Sequence, residues 1–201
     1  MRVRSPAAAG TFYPADPAVL EAETARMLDQ AGPRPGPAPV AMLLPHAGYR
    51  YSGIVAAAGY RRMADSGAKI RRVAVLCPNH TVPLRGMAVS ASDRWRTPVG
   101  DVAVDPDLRE VTAALGGVTI DDGPHRHEHA VEVHLPFLIR ILDEGWTLLP
   151  VVVGEIAHPE GAAVVGTLTD AGALVIVSTD LSHYLPHDQA RRRDDATLRR
   201  W

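Results

Sequence analysis

Val40-Ala41-Met42-Leu43-Leu44-Pro45-His46 is an apolar run that ends in a histidine, and the chain repeats the pattern twice more. Val73-Ala74-Val75-Leu76-Cys77 runs into Pro78-Asn79-His80. Ala173-Leu174-Val175-Ile176-Val177 runs into Ser178-Thr179-Asp180-Leu181-Ser182-His183. Each run is apolar throughout and of strand length, which is how a strand reads when both faces are covered in a parallel sheet. In open sheets of this kind, ligands bind beyond the carboxyl ends of the strands. Three imidazoles delivered to that edge can converge on one ion, since neutral imidazole is a ligand for zinc, iron and copper.

Helical patterns fill the intervals between these runs. Residues 15–31 read as an amphipathic helix with Asp16 as N-cap and Pro17 at its first position, followed by a Pro/Gly-rich connector from Gly32 to Pro39. A helix is predicted near 52–65, where Ser52 can cap a small-residue face of Ala56, Ala57 and Ala58. Extended segments follow at 72–77, 86–91 and 101–104, and a helix over 106–115 is opened by Asp105-Pro106. Val131, Leu135, Leu138, Ile139 and Leu142 have helical spacing and predict a helix over 127–143. Strand 147–153, helix 159–171, strand 173–178 and a terminal helix near 188–200 complete the pattern. The alternation predicts an α/β fold, a layered sandwich around a mostly parallel central sheet, in a single domain spanning 1–201.

Bulk properties narrow the function. The 201 residues are 46% hydrophobic and 22% charged with a net charge of −2, so no global field draws the chain to nucleic acid or to an anionic membrane. The basic run Arg191-Arg192-Arg193 is bracketed by Asp188, Asp194 and Asp195 and reads as a solvated helix face. Cys77 is the only cysteine, which fits a reducing compartment. Small and turn-forming residues interrupt the amino-terminal segment before any apolar signal region develops, and no apolar run is long enough to span a bilayer. A cytoplasmic protein is expected.

The candidate chemistry lies in four segments. In Pro45-His46-Ala47-Gly48-Tyr49-Arg50-Tyr51-Ser52-Gly53 the glycines permit tight turns and close ligand approach, while the plainer reading is a strand-to-helix loop. Asn79 can orient a substrate or close an Asx turn. Cys77 reads as a buried strand end rather than a thiolate ligand, because nothing basic flanks it. Asp180 can ligate a metal directly, can fix the tautomer of a ligand histidine, or can cap a helix. The densest cluster, His125-Arg126-His127-Glu128-His129-Ala130-Val131-Glu132-Val133-His134, lacks the zinc-protease spacing, because Val131 stands where the second histidine would be. A histidine there can shuttle protons beside a metal. His127, His134, His158 and His187 read as ordinary water-facing residues. Neither a phosphate-binding Gly-rich loop nor a Gly-x-Ser-x-Gly elbow is present.

Taken together, these motifs resemble the Memo family, which includes the bacterial proteins named AmmeMemoRadiSam system protein B. The match runs from Ala9-Gly10-Thr11-Phe12-Tyr13-Pro14 through Pro45-His46-Ala47-Gly48-Tyr49, Tyr51-Ser52-Gly53, Pro78-Asn79-His80 and Trp95-Arg96-Thr97-Pro98-Val99-Gly100. It continues with Glu128-His129-Ala130-Val131-Glu132 and Leu135-Pro136-Phe137, and closes with Ser178-Thr179-Asp180-Leu181-Ser182-His183-Tyr184. The resemblance implies a fold like the class III extradiol dioxygenases, with Fe(II) or copper as cofactor and zinc as an alternative. It implies His46, His80 and His183 as metal ligands, and His129, Glu128 and Asp180 as the groups that move protons or orient neighbours. A 2-His-1-carboxylate site using Asp180 is the nearest variant. Implied partners are a small-molecule or peptide ligand, together with the radical-SAM and AMMECR-type proteins that give the bacterial members their name. Family members extend past the point where this sequence stops, so a C-terminally short version is expected. The reading that follows is a metal-binding protein with oxygen-dependent redox chemistry on a small molecule. Its rival is a non-catalytic module whose histidine-lined cleft recognises a peptide or protein.

Overall fold

The three histidine-terminated runs become neighbouring parallel strands in the computed structural model, which describes residues 1–200. The strands are β1 (Val3–Arg4), β2 (Ala41–Leu44), β3 (Arg72–Pro78), β4 (Met87–Val89), β5 (Arg94–Thr97), β6 (Gly100–Val104), β7 (Val118–Ile120), β8 (Thr147–Val153) and β9 (Leu174–Ser178). The helices are α1 (Pro17–Ala31), α2 (Ile54–Asp65), α3 (Pro106–Ala113), α4 (Leu135–Ile141), α5 (His158–Asp170) and α6 (His187–Leu198).

All nine strands join one sheet, whose main path is β1-β5-β6-β8-β3-β9-β2. Every pairing in it is parallel except β5 with β6 and β4 with β8. Leu44 lies opposite Ser178 and Leu76 opposite Val177, so Pro45-His46, Thr179-Asp180 and Asn79-His80 leave the sheet at the same edge. The sheet forks at β8, which pairs with β6 through Thr147 and Leu148 and with β4 through Val151 to Val153. Gly86, just before β4, has a φ of +80°, and a Cβ there would come within 2.2 Å of the Gly117 carbonyl oxygen, so only glycine fits.

Alternation along the strands feeds two cores, one on each face. Val73, Val75, Cys77, Leu148, Val152, Leu174 and Ile176 pack with Leu20 and Met27 of α1, Tyr60 and Met63 of α2, and Phe137 and Leu138 of α4. Ala74, Leu76, Leu149, Val151 and Val175 pack with Leu108 of α3 and with Val164 and Leu168 of α5. The result is the expected sandwich of helices around a mostly parallel sheet.

Several boundaries differ from the sequence reading, each for a local reason. The helix predicted over 127–143 shrinks to α4, preceded by a 3-10 turn at Glu132–His134. Glu128 there accepts hydrogen bonds from the backbone N–H groups of His129 and Ala130, which turns the chain away from a helical ladder. The helix predicted from residue 52 begins at Ile54, after a π-helical turn at Tyr49–Gly53. Ser52 does not cap it, because its hydroxyl donates instead to the Ala47 carbonyl at 3.1 Å. Gly53 serves packing rather than an unusual φ: a Cβ there would sit 2.6 Å from Met27 Sδ on α1. Asp16 and Asp105 do cap α1 and α3, accepting from Val19 and Leu108 backbone N–H groups at 2.9 Å.

The amino-terminal segment is tied down by a buried ion pair. Arg4 pairs with Glu132, donates to the backbone carbonyls of His125 and Glu128, and lies over the Trp95 ring. Glu132 in turn accepts from the Ala7 and Ala8 backbone N–H groups and from the Tyr13 hydroxyl. This knot fixes residues 125–134 against the sheet edge where the histidines emerge. Among the described residues, no helix is long and apolar enough to cross a membrane.

Candidate metal centre

Two strand ends and one loop build a group of three histidines. His46 follows β2 and His80 follows β3, while His129 comes from the non-helical segment before α4. One ring nitrogen from each of the three lies within 4.8 Å of the others. The ring centroids are separated by 5.3 Å for His46 and His80, 5.7 Å for His46 and His129, and 4.8 Å for His80 and His129. Two imidazoles bound to one ion at about 2.1 Å place their nitrogens at most about 4.2 Å apart, so small ring rotations close the triangle. His46 is buried, His129 is half-buried and His80 opens to solvent, so the group has a sealed side and an accessible side.

Glu128 organises two of the three rings. Its side chain is wholly buried, yet it accepts from the His80 backbone N–H at 2.9 Å and from His80 Nδ1 at 3.0 Å. The same carboxylate accepts from the backbone N–H groups of His129 and Ala130, and His129 Nδ1 lies 3.3 Å away. An ionised carboxylate only accepts, so His80 donates to it through Nδ1–H, which in the neutral ring leaves Nε2 as the lone pair. A carboxylate behind a ligand histidine is the usual partner that fixes ring orientation and tautomer at metal sites.

The electrostatics keep the donor set ready for a cation. Burial pushes His46 down to about 4, the neighbouring Asp180 carboxylate opposes that, and His80 and His129 add to it. Burial also lowers His129, against the pull of Glu128. Burial resists ionisation of Glu128, but the hydrogen bonds from Ala130 and His80 outweigh it and hold the carboxyl below its ordinary range. Near neutral pH the arrangement is therefore two neutral rings, His46 and His129, beside an ionised carboxylate. Neutral imidazole is the form that binds metal.

The other candidate residues fall in different places. Asp180 accepts from the backbone N–H groups of His46 and Ala47 at 2.7 and 3.1 Å, and its second oxygen stands 3.9 Å from His46 Nε2. It fastens the loop that carries His46. His183 is not brought into the group: its ring is exposed and its Nδ1 contacts the Leu181 carbonyl at 2.9 Å. Leu181 and Tyr184 have φ values of 60° and 58°, and these two left-handed residues turn the loop after β9 outward. Asn79 closes an Asx-type turn through contacts with Thr81 and Val82. Cys77 is buried, and burial raises its thiol well above the ordinary value.

His134 corrects the reading as a water-facing residue. It is buried, bonded to Tyr60 at 2.6 Å and to Ser178 at 2.8 Å, and burial lowers it to about 3. Ser178 also contacts His46 Nδ1 at 2.7 Å. Ser178 thus joins the site, and its place at the end of the third strand run is the one signal the sequence carries for it. His127, His158 and His187 are exposed, as read.

A family model described as Memo-like protein matches residues 4–200. A MEMO1 family protein of Aquifex aeolicus is 39% identical over 202 residues, covering 98% of this chain and 74% of that protein. One from Methanopyrus kandleri is 38% identical over 216 residues, covering 98% and 75%. A "Protein memo-1 homolog" of Caenorhabditis elegans is 33% identical over 187 residues, covering 90% of this chain and 53% of that protein.

Proposed function

This chain belongs to the Memo family, and from that premise we propose that it is a non-haem metal-binding protein whose ion is held by His46, His80 and His129. The observation that carries the reading is the convergence of three imidazoles, one ring nitrogen each, within 4.8 Å. The donor set fits a borderline transition metal, for which imidazole is a suitable ligand, and we assign Fe(II) or copper, with zinc as the alternative. His129 takes the third position in this proposal, in place of His183. Glu128 holds the His80 and His129 rings, and Asp180 holds the His46 loop.

We further propose oxygen-dependent redox chemistry on a small molecule, on a scaffold akin to the class III extradiol dioxygenases, in a reducing cytoplasm. When bound, the ion supplies electron exchange with dioxygen and a Lewis acid for a substrate oxygen. The chain's own contribution is a cluster with one solvent-facing side, at His80, through which a small molecule can approach. A carboxylate-anchored His129, stacked on Phe12 at 4.0 Å, stands at that approach.

Metal analysis of untagged protein, followed by oxygen uptake with catecholic substrates, tests both halves. Bound iron or copper with substrate-dependent oxygen consumption is expected. Bound metal without turnover would favour the cleft as a peptide- or protein-recognition module, and the absence of tightly bound metal would overturn the proposal.

A further inference from the structure

Beneath His46 lies a row of buried polar groups that the metal-centre reading does not use. Tyr60 of α2, His134 before α4 and Ser178 at the end of β9 come from three separate elements, and all three are buried in the main core. The Tyr60 hydroxyl is 2.6 Å from His134 Nδ1. His134 Nε2 is 2.8 Å from Ser178 Oγ, and Ser178 Oγ is 2.7 Å from His46 Nδ1. The row ends on the Ala130 carbonyl, 2.9 Å from the same hydroxyl. Buried polar groups are satisfied only when donors and acceptors alternate, so the protons in this row can be assigned.

The fixed point is Ala130, because a carbonyl only accepts. Ser178 has a single hydroxyl proton and must direct it there. Its oxygen therefore meets both histidines as an acceptor, and each must donate to it: His134 through Nε2–H and His46 through Nδ1–H. His134 is neutral, since burial holds it at about 3, so its Nδ1 is a lone pair. The Tyr60 hydroxyl, kept protonated by burial, donates to that lone pair. Every group is then satisfied, and reversing any one bond sets two acceptors or two donors face to face.

We propose that Tyr60, His134 and Ser178 form a buried relay of hydrogen bonds that locks His46 as its Nδ1–H tautomer and so presents Nε2 as a lone pair to a metal ion. The proposal rests on the metal-centre reading for the ion, but the tautomer exists without one. Glu128 fixes His80 in the same sense, so the two strand-end histidines are oriented by unlike means: a carboxylate at the open side, and a neutral serine–histidine–tyrosine row at the sealed side. These three are positioning residues, acting on the metal through His46. A neutral row suits the sealed side, because a second buried carboxylate there would need its own desolvation offset.

The test reads the tautomer directly. Long-range proton–nitrogen correlation spectra of chelator-treated protein at pH 7.5 report which ring nitrogen bears the proton. His46 is expected to be Nδ1–H and His134 Nε2–H. Ser178→Ala should release His46 toward Nε2–H and weaken Zn2+ binding on the order of 10–100-fold. Ser178→Thr, which keeps the hydroxyl, should restore both. An Nε2–H on His46 in the unaltered protein overturns the proposal, even if Ser178→Ala fails to fold. So does a Ser178→Ala protein with unchanged tautomer and unchanged Zn2+ affinity. An Nδ1–H on His46 in a protein that binds no Zn2+ supports the relay and overturns the metal-centre reading instead.

Discussion

Lowering the pH should destabilise the metal-free protein before its carboxylates titrate, because three histidines are buried in neutral form. Burial holds His46 and His125 to about 4 and His134 to about 3. In the unfolded chain each takes a proton near its ordinary value of about 6.5. Between those limits the unfolded state binds more protons, so stability is full above about pH 6.5 and falls as the pH drops toward 4. One unit below 6.5, each group contributes about 1.4 kcal/mol to the loss, which sets an upper figure of about 4 kcal/mol for the three. That is a large part of the roughly 5–15 kcal/mol that holds a typical domain together. Urea unfolding followed by circular dichroism, with chelator present, should show the midpoint falling by about 2 M between pH 7.5 and 5.5, taking a slope of about 2 kcal/mol per molar. His125→Gln keeps a donor for the Ala88 carbonyl and should reduce that pH dependence by about one third, whatever it does to stability itself. Equal midpoints at the two pH values would refute the assignment of neutral buried imidazoles.

Glu128→Gln should weaken metal binding on the order of 10–100-fold in equilibrium dialysis, since the amide cannot accept from both His80 groups at once. The same substitution sets an NH2 against a backbone N–H, and should lower stability by about 1–3 kcal/mol in urea titration. Glu132→Ala strands the buried Arg4 guanidinium and frees the Ala7 and Ala8 amides; a loss of about 3–5 kcal/mol is expected, visible as a lowered melting temperature. Asp180→Asn keeps an oxygen for the His46 and Ala47 amides, so its melting temperature should stay near that of the unaltered protein, whereas Asp180→Ala should lower it.

The sheet was legible because burial on both faces leaves an unambiguous mark. Val73 to Cys77 and Leu174 to Val177 admit no polar residue, and the helix caps at Asp16 and Asp105 sit where their side chains predict. The short strands β1, β5 and β7 carry too few residues for a periodicity to show. The segment from 125 to 134 misled for a different reason. Its apolar spacing is helical, but Glu128 and Glu132 are consumed by tertiary partners far along the chain, and no local pattern reports an ion pair with Arg4. His46 and His80 were found by the rule that parallel strands deliver ligands at their carboxyl ends. That rule fixes where a loop starts and says nothing about where it turns. Two left-handed residues carry His183 outward, while Glu128 draws His129 in. Ser178 and His134 were invisible as a pair because 44 residues separate them.

If His46, His80 and His129 share one ion, removing any of the three rings should empty the site. The most direct measurement is the bound metal per chain in untagged protein, compared with His129→Ala and His183→Ala variants purified in the same way. His129→Ala should lose the metal and His183→Ala should retain it. Metal retained by His129→Ala and lost from His183→Ala would place the third ligand on the loop after β9 instead.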